Sequence, residues 1–155
     1  MSEHSIIMGP ESVRGIIGGT KTMTRRVDSK RYASWKVGDY LWVKEDFKIA
    51  ENVSVNGVYP PIYKADCDDD LIKNIKHWRY SMFMPRRVSR ILLEITNIRV
   101  ERLQDITEDD AIKEGYDRRD TYAWAWNAIN AKRGYPWSDN SWVVVVEFKR
   151  VEAKS

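Results

Sequence analysis

The densest group of reactive side chains lies in Gly19-Thr20-Lys21-Thr22-Met23-Thr24-Arg25-Arg26. A lysine three residues from a threonine can bring its amine to the hydroxyl where the backbone is helical or turned, and a desolvated amine can act as general base towards that hydroxyl. Burial and the like charge of Arg25 and Arg26 drive Lys21 towards its neutral form, whereas a carboxylate such as Glu114 opposes this if it is close. The same segment also reads as a basic loop that holds a phosphate or faces solvent, and spacing alone favours this plainer reading.

These residues need elements to hold them. Ser12 reads as the N-cap of a short helix in which Val13, Ile16 and Ile17 recur at helical spacing, with Gly18-Gly19 as its end, so Thr20 to Arg26 leaves a helix terminus. Thr107 followed three residues later by Asp110 is an acidic variant of the capping box. It opens a short helix that Gly115 ends, which puts Glu114 at a helix C-terminus.

Between them, Trp35 to Asp39 reads as a turn feeding a strand from Tyr40 to Phe47, rich in aromatic and β-branched residues. Asn56-Gly57 and Pro60-Pro61 mark a long hairpin or loop after it, and Leu71, Ile72 and Ile75 predict one or two helical turns. Ile91 to Val100 alternates in two parts, which predicts a strand with a bulge near Thr96. Tyr122, Trp126, Ile129 and Arg133 share one face of a helix over 120–133 that Gly134 stops, and the aromatic side chains are expected to pack on the sheet. Trp142 to Phe148 lacks alternation, as in a strand buried on both sides, and leads into a charged tail. Short strands interrupted by short helices predict an α+β fold whose sheet curls into a small barrel to remove its edges.

The 155 residues suit one domain spanning the whole chain, and 43% hydrophobic with 32% charged residues excludes disorder. The longest apolar run, Trp142 to Val146, is far too short to cross a bilayer, and no basic-then-apolar leader opens the chain; a soluble, cytoplasmic protein without membrane partners is expected. A net charge of +3 gives little support for a polyanionic partner, but positive side chains gather at Lys21, Arg25 and Arg26, at Lys30 and Arg31, and at Arg86, Arg87 and Arg90. Two of these clusters can line one cleft. The single cysteine, Cys67, cannot form an internal disulfide, and with only His4 and His77 there is no metal-ligand spacing, so neither zinc nor another cofactor is predicted.

The pattern Gly-x-Lys-x-x-Thr-x-Arg, met as Gly19, Lys21, Thr24 and Arg26, resembles the N-terminal signature of the ASCH family, whose domains have the PUA-like barrel. Trp35 to Glu45 looks like that family's first long strand, Ile106 to Gly115 like its short acidic helix, and Trp142 to Phe148 like its final strand. Met84 to Ile91 is similar to a stretch of longer, bacteriophage-associated members, which suggests a phage or prophage origin. Some small members are amidohydrolases that remove the acyl group from N4-acylated cytidine, and the resemblance places their catalytic Lys, Thr and Glu on Lys21, Thr24 and Glu114. It implies a metal-independent mechanism in which Lys21 activates Thr24 to attack the amide carbonyl and Glu114 assists proton transfer to the leaving amine.

The same resemblance makes Arg26 a substrate-binding or carboxylate-orienting residue, while Arg25 stands at a permissive position and reads as exposed. Glu45, Ser89, Arg90 and Trp42 are further substrate-binding candidates. The plainer readings are a solvated strand end for Glu45 and a surface ion pair for Arg90; Trp42 or Trp78 is the candidate to stack on a base, while most of the seven Trp are expected in the core. The implied partner is a small acylated nucleoside or base. An RNA-binding module, with Arg86 to Arg90 on phosphates, is the competing reading, and a ribonuclease ranks below it because neither histidine lies in a nuclease arrangement. The segment from Ile49 to Pro85 and the aromatic helix around Trp124 to Trp126 can cover or reshape the pocket.

Overall fold

The computed structural model describes residues 1–27, 29–50 and 60–151. Strand β1 (Glu3–Ile7) leads into helix α1 (Pro10–Ile17), strand β2 (Met23–Arg26), the single-turn helix α2 (Ser29–Tyr32) and strand β3 (Tyr40–Lys44). A hairpin of β4 (Phe47–Ile49) and β5 (Pro61–Tyr63) follows, then α3 (Asp69–Asn74), the long strand β6 (Leu92–Arg102), α4 (Glu108–Lys113), α5 (Arg119–Asn130) and β7 (Trp142–Val151). The expected hairpin is therefore present, but Asn56-Gly57 lies outside the described residues, as does the charged tail after Val151.

One five-stranded mixed sheet, ordered β1-β3-β6-β7-β2, carries the fold, and β4-β5 forms a separate two-stranded ribbon. Only β1 and β3 run parallel; the other pairs are antiparallel. The expected bulge sits where predicted, in the register shift between Ile95 and Asn97, and lets β6 bend as it crosses the sheet. The fold is α+β, but the expected barrel does not close through its backbone: among the described residues, the two edge strands β1 and β2 share no ladder. They are nevertheless brought within one side chain of each other. Arg26 on β2 donates from Nη2 to the carbonyl of Ile7 on β1 at 2.8 Å, so the sheet curls and a guanidinium bridges its seam.

Strand β7 explains the unbroken valine run. Val144, Val146 and Phe148 join the core inside the curl with Ile6, Leu41, Val43, Leu93 and Ile95, and Val143 and Val145 join a second core beneath α4 and α5 with Met23, Leu103, Ile106, Tyr122 and Trp126. Side chains alternate normally, but both faces are covered. Each fully buried aliphatic contributes roughly 1.5–3 kcal/mol, so β7 is the strand that unites the two cores.

Several boundaries differ from those expected. Helix α1 begins at Pro10 after Gly9 rather than at Ser12, because proline at the first helical position needs no donated hydrogen bond. The strand expected over 40–47 breaks after Lys44, and Phe47 starts the ribbon instead. Strands β1 and β2 and helix α2 carry no sequence periodicity long enough to reveal them. Trp35 and Trp126 are core residues, but Trp124 is 75% and Trp142 is 56% exposed, so core placement of most tryptophans fails. Trp124, two residues from Trp126 on α5, falls on the opposite side of the helix.

Candidate functional site

Lys21 is positioned by the end of α1. Gly19 adopts the left-handed conformation at φ +80°, and the amides of Thr20 and Lys21 both return to the carbonyl of Gly15 at 2.8 and 3.0 Å. A Cβ on Gly15 would lie 3.1 Å from the Lys21 Cβ, so glycine permits this tight crossing. Glu114 is positioned by the end of α4. Thr107 Oγ1 accepts from the Asp110 amide at 3.0 Å to start the helix, and Gly115, at φ +102°, ends it. The two termini meet where the Thr22 amide donates to the Lys113 carbonyl at 2.7 Å. There Lys21 Nζ donates to both Glu114 Oε1 and the Glu114 carbonyl, each at 3.0 Å. Both residues are buried.

Alternation along β2 sorts the next three side chains. Thr24 pairs with Val146 and Arg26 with Val144, whose side chains enter the core inside the curl, whereas Arg25 pairs with Val145 on the face covered by α4. Arg26 Nε donates to Thr24 Oγ1 at 3.2 Å. Arg25 is not the exposed bystander expected of it: its side chain is fully buried and bonds Glu114 Oε2 at 3.0 Å, Glu101 Oε1 at 2.6 Å and Asp110 Oδ2 at 3.0 Å. Only its Nε lacks a partner. The physical reason is that Glu101 on β6, Asp110 on α4 and Glu114 at its end converge on this same face at this register, so the cation is buried among them. Burial works against the Arg25 charge, but Glu114 and Glu101 outweigh it and hold the guanidinium above its ordinary value. For Arg26 burial prevails over the smaller opposing contributions of Tyr32, Glu114 and Tyr122 and draws it below its ordinary value.

Lys21, Thr24, Arg25, Arg26 and Glu114 line one cavity of about 570 Å³. Ile7, Tyr32, Tyr116 and the inner side of α5, with Tyr122, Trp126 and Asn130, complete much of its wall, and Arg31 and Arg133 also line it. The volume lies within the range of about 300–1,000 Å³ usual for small-molecule sites. Burial, reinforced by the Glu114 charge, raises the Tyr122 phenol well above its ordinary value, and burial raises Tyr116 as well, so both stay protonated at neutral pH.

The cavity thus gathers four of the expected site residues, and it draws on the first two of the basic clusters. It also contains residues that the sequence does not assign to the site. Of these, Tyr122, Trp126 and Arg133 are detectable as one helical face, while Tyr116 and Asn130 have no signal. None of the described residues from Ile49 to Pro85 lines it, but the aromatic helix does.

Glu45, Ser89, Arg90 and Trp42 are absent from this wall. Glu45, 1% exposed, is held by Arg90 through two bonds, Nε to Oε2 at 3.1 Å and Nη2 to Oε1 at 3.0 Å. Arg90 also bonds Asp66 at 2.8 Å and stacks 4.0 Å over Tyr63, which ties the β4-β5 ribbon to the sheet. Ser89 Oγ donates to the Val43 carbonyl at 2.8 Å. Trp42 lies half-buried beneath Lys44 and Arg86, at 5.3 and 5.9 Å from its ring centre. Trp78 lines a smaller hollow of about 310 Å³ with Lys48, Ile49, His77 and Arg79.

A five-stranded curled sheet carrying a polar cavity at its seam is a recognisable class of α+β domain. Among solved structures the chain is similar to the crystal structure of an ASCH domain from Lactobacillus crispatus, with a TM-score of 0.54 and 13% identity over 96% of this chain and 79% of that one. It is also similar to the hypothetical protein PH0355, with a TM-score of 0.53 and 11% identity over 96% and 99% of the two chains. Protein EF3133 from Enterococcus faecalis follows at 0.51 and 11%, over 97% and 76%. No family model matches the sequence, and no curated protein is significantly similar to it. The likenesses show the fold: the chain has an α+β fold like that of the ASCH domain structure. Among the described residues no helix is long and apolar enough to cross a membrane.

Proposed function

We propose that the protein is an amidohydrolase that cleaves the N4-acyl amide of acylated cytidine or cytosine derivatives, releasing the amine and a carboxylic acid. The observation that carries this reading is the convergence of Lys21 and Thr24, from one segment, with Glu114, from another 93 positions on from Lys21, on one cavity of small-molecule size. In the form of the pair in which the proton rests on Glu114, Lys21 takes the Thr24 hydroxyl proton as Oγ1 attacks the acyl carbon. Arg26, donating to that oxygen, favours the charge that develops on it. Collapse of the tetrahedral adduct breaks the C–N bond, Glu114 protonates the departing N4, and water then hydrolyses the threonyl ester. The phenols of Tyr116 and Tyr122 offer polar contacts, and these rings with Trp126 give the cavity an aromatic wall for a base.

The test is turnover of N4-acetylcytidine by the purified protein with a chelator present, followed as release of cytidine beside a Lys21→Ala control. Turnover that the substitution removes is expected; no turnover across several N4-acyl groups would reject the reading.

A further inference from the structure

Among the described residues that line the cavity, five carry cationic side chains, Lys21, Arg25, Arg26, Arg31 and Arg133, and one a carboxylate, Glu114, with Arg25 also paired to Glu101 and Asp110 behind the wall. The Glu114 carboxylate is already shared by Lys21 and Arg25. Arg26 has no carboxylate partner among the described residues. Its Nε goes to the Thr24 hydroxyl and its Nη2 to the Ile7 carbonyl and the Met8 sulfur, all neutral acceptors, and its Nη1 makes no hydrogen bond among the described residues. Arg133, which also lines the cavity, donates from Nη1 to the neutral Asn130 side chain at 2.9 Å. A half-buried guanidinium satisfied only by neutral acceptors keeps most of its desolvation cost, and an anion bound beside it recovers that cost through charge-assisted bonds.

We propose that this cavity binds an anionic phosphate group, held by Arg26 with Arg31 and Arg133, so that the substrate is an N4-acylated cytidine bearing a phosphate monoester rather than the neutral nucleoside. The substrate's identity rests on the amidohydrolase reading; the phosphate site does not. The arrangement fits a phosphate because guanidinium groups reach one cavity from β2, from α2 and from the turn after α5, and the planar guanidinium fork matches phosphate oxygens. A solvated surface arginine cluster would not need a hydroxyl and a thioether as its acceptors.

Two measurements separate the claims. The first is binding of inorganic phosphate by titration calorimetry to the full chain and to Arg133→Gln and Arg31→Gln. Both altered residues are exposed on the surface, so the fold tolerates the changes, and circular dichroism checks that it does. Saturable phosphate binding weakened at least about fivefold in either variant is expected, and undiminished or absent binding overturns the proposal.

The second is kcat/KM for N4-acetylcytidine, its 5′-monophosphate and a short oligonucleotide carrying the same base. The monophosphate should exceed the nucleoside at least about tenfold, with the ratio falling towards one in Arg133→Gln. Equal rates for nucleoside and monophosphate would overturn the assignment, and the oligonucleotide as best substrate would replace the monoester with a backbone phosphate. If nothing is hydrolysed but arginine-dependent phosphate binding persists, the hydrolase reading fails and the anion site stands.

Discussion

Lys21 and Glu114, 93 positions apart, are joined twice, by the carboxylate and by the backbone carbonyl of the same glutamate, each 3.0 Å from the lysine nitrogen. The double contact fixes the amine at the crossing of two helix ends and leaves the second carboxylate oxygen to Arg25. Removing the carboxylate charge therefore strands the buried Lys21 ammonium, whereas Arg25 keeps Glu101 and Asp110. Glu114→Gln should lower hydrolysis by at least about 100-fold, as loss of a general acid–base group does. It should also cost about 3–5 kcal/mol in stability, a fall in melting temperature on the order of 10 °C. Rate and thermal melt measured on one preparation check both, and an unchanged melt would mean that the pair does not hold these elements together.

Thr24 differs from Glu114 in that its hydroxyl has one partner, Arg26 Nε, and its removal strands no charge. Thr24→Ala should abolish hydrolysis while costing only about 0.5–1.5 kcal/mol of stability. Thr24→Ser, which keeps the hydroxyl, should retain measurable turnover. Mass spectrometry of the acyl-enzyme trapped at low pH provides a second readout, and an adduct still forming on the alanine variant would remove Thr24 as nucleophile.

Arg25 serves the site from behind. Arg25→Met leaves Glu101, Asp110 and Glu114 facing an apolar side chain, and it should destabilise the protein by about 3–5 kcal/mol, as breaking a buried pair by removing one partner does. Denaturant unfolding monitored by tryptophan fluorescence measures this. Arg25→Lys, which keeps the charge but has a single nitrogen, cannot span three carboxylates and should lose much of the same stability.

Two carboxyls give stability opposite pH dependences. Hydrogen bonding from His4, opposed by burial, with further bonds from the amides of Ser2 and Lys36, holds Asp39 below its ordinary value. Its contribution is present above the ordinary carboxylate range and is lost as pH falls below it. Burial holds Glu45 above its ordinary value, against Arg90, so the native state retains that proton longer and stability declines as pH rises through the raised value. Chemical denaturation across pH 2 to 7 should show Asp39→Asn flattening the acid limb and Glu45→Gln flattening the decline above it.

Much of the site is legible in the residues themselves. Thr107 as cap, Gly115 as stop and the position of Glu114 between them follow from local chemistry, since capping bonds and left-handed turns are made by residues a few positions apart. The same holds for the end of α1 at Gly18-Gly19 and for the kink near Thr96, where alternation visibly changes phase. Strand β2 is hidden, because four residues reading Met-Thr-Arg-Arg carry no β signature and become a strand only by pairing with β7. The hidden strand explains why Arg25 reads as exposed: without a strand there is no alternation, and without alternation nothing says that Arg25 and Arg26 face opposite ways. Glu45 and Arg90 stand out as residue types, but their mutual pairing and their absence from the cavity depend on β3 and the segment before β6 lying side by side.

By itself the sequence determined the caps, the turns, the doubly buried final strand and the residue types able to do acyl-transfer chemistry, because each depends on neighbours within one or two turns. Tertiary structure alone decided that Lys21 meets Glu114, that Arg25 is buried among three carboxylates, and that Arg26 bridges the sheet's open seam. Those contacts join segments 19 to 93 residues apart, and their partners are set by sheet register and curl rather than by any local preference.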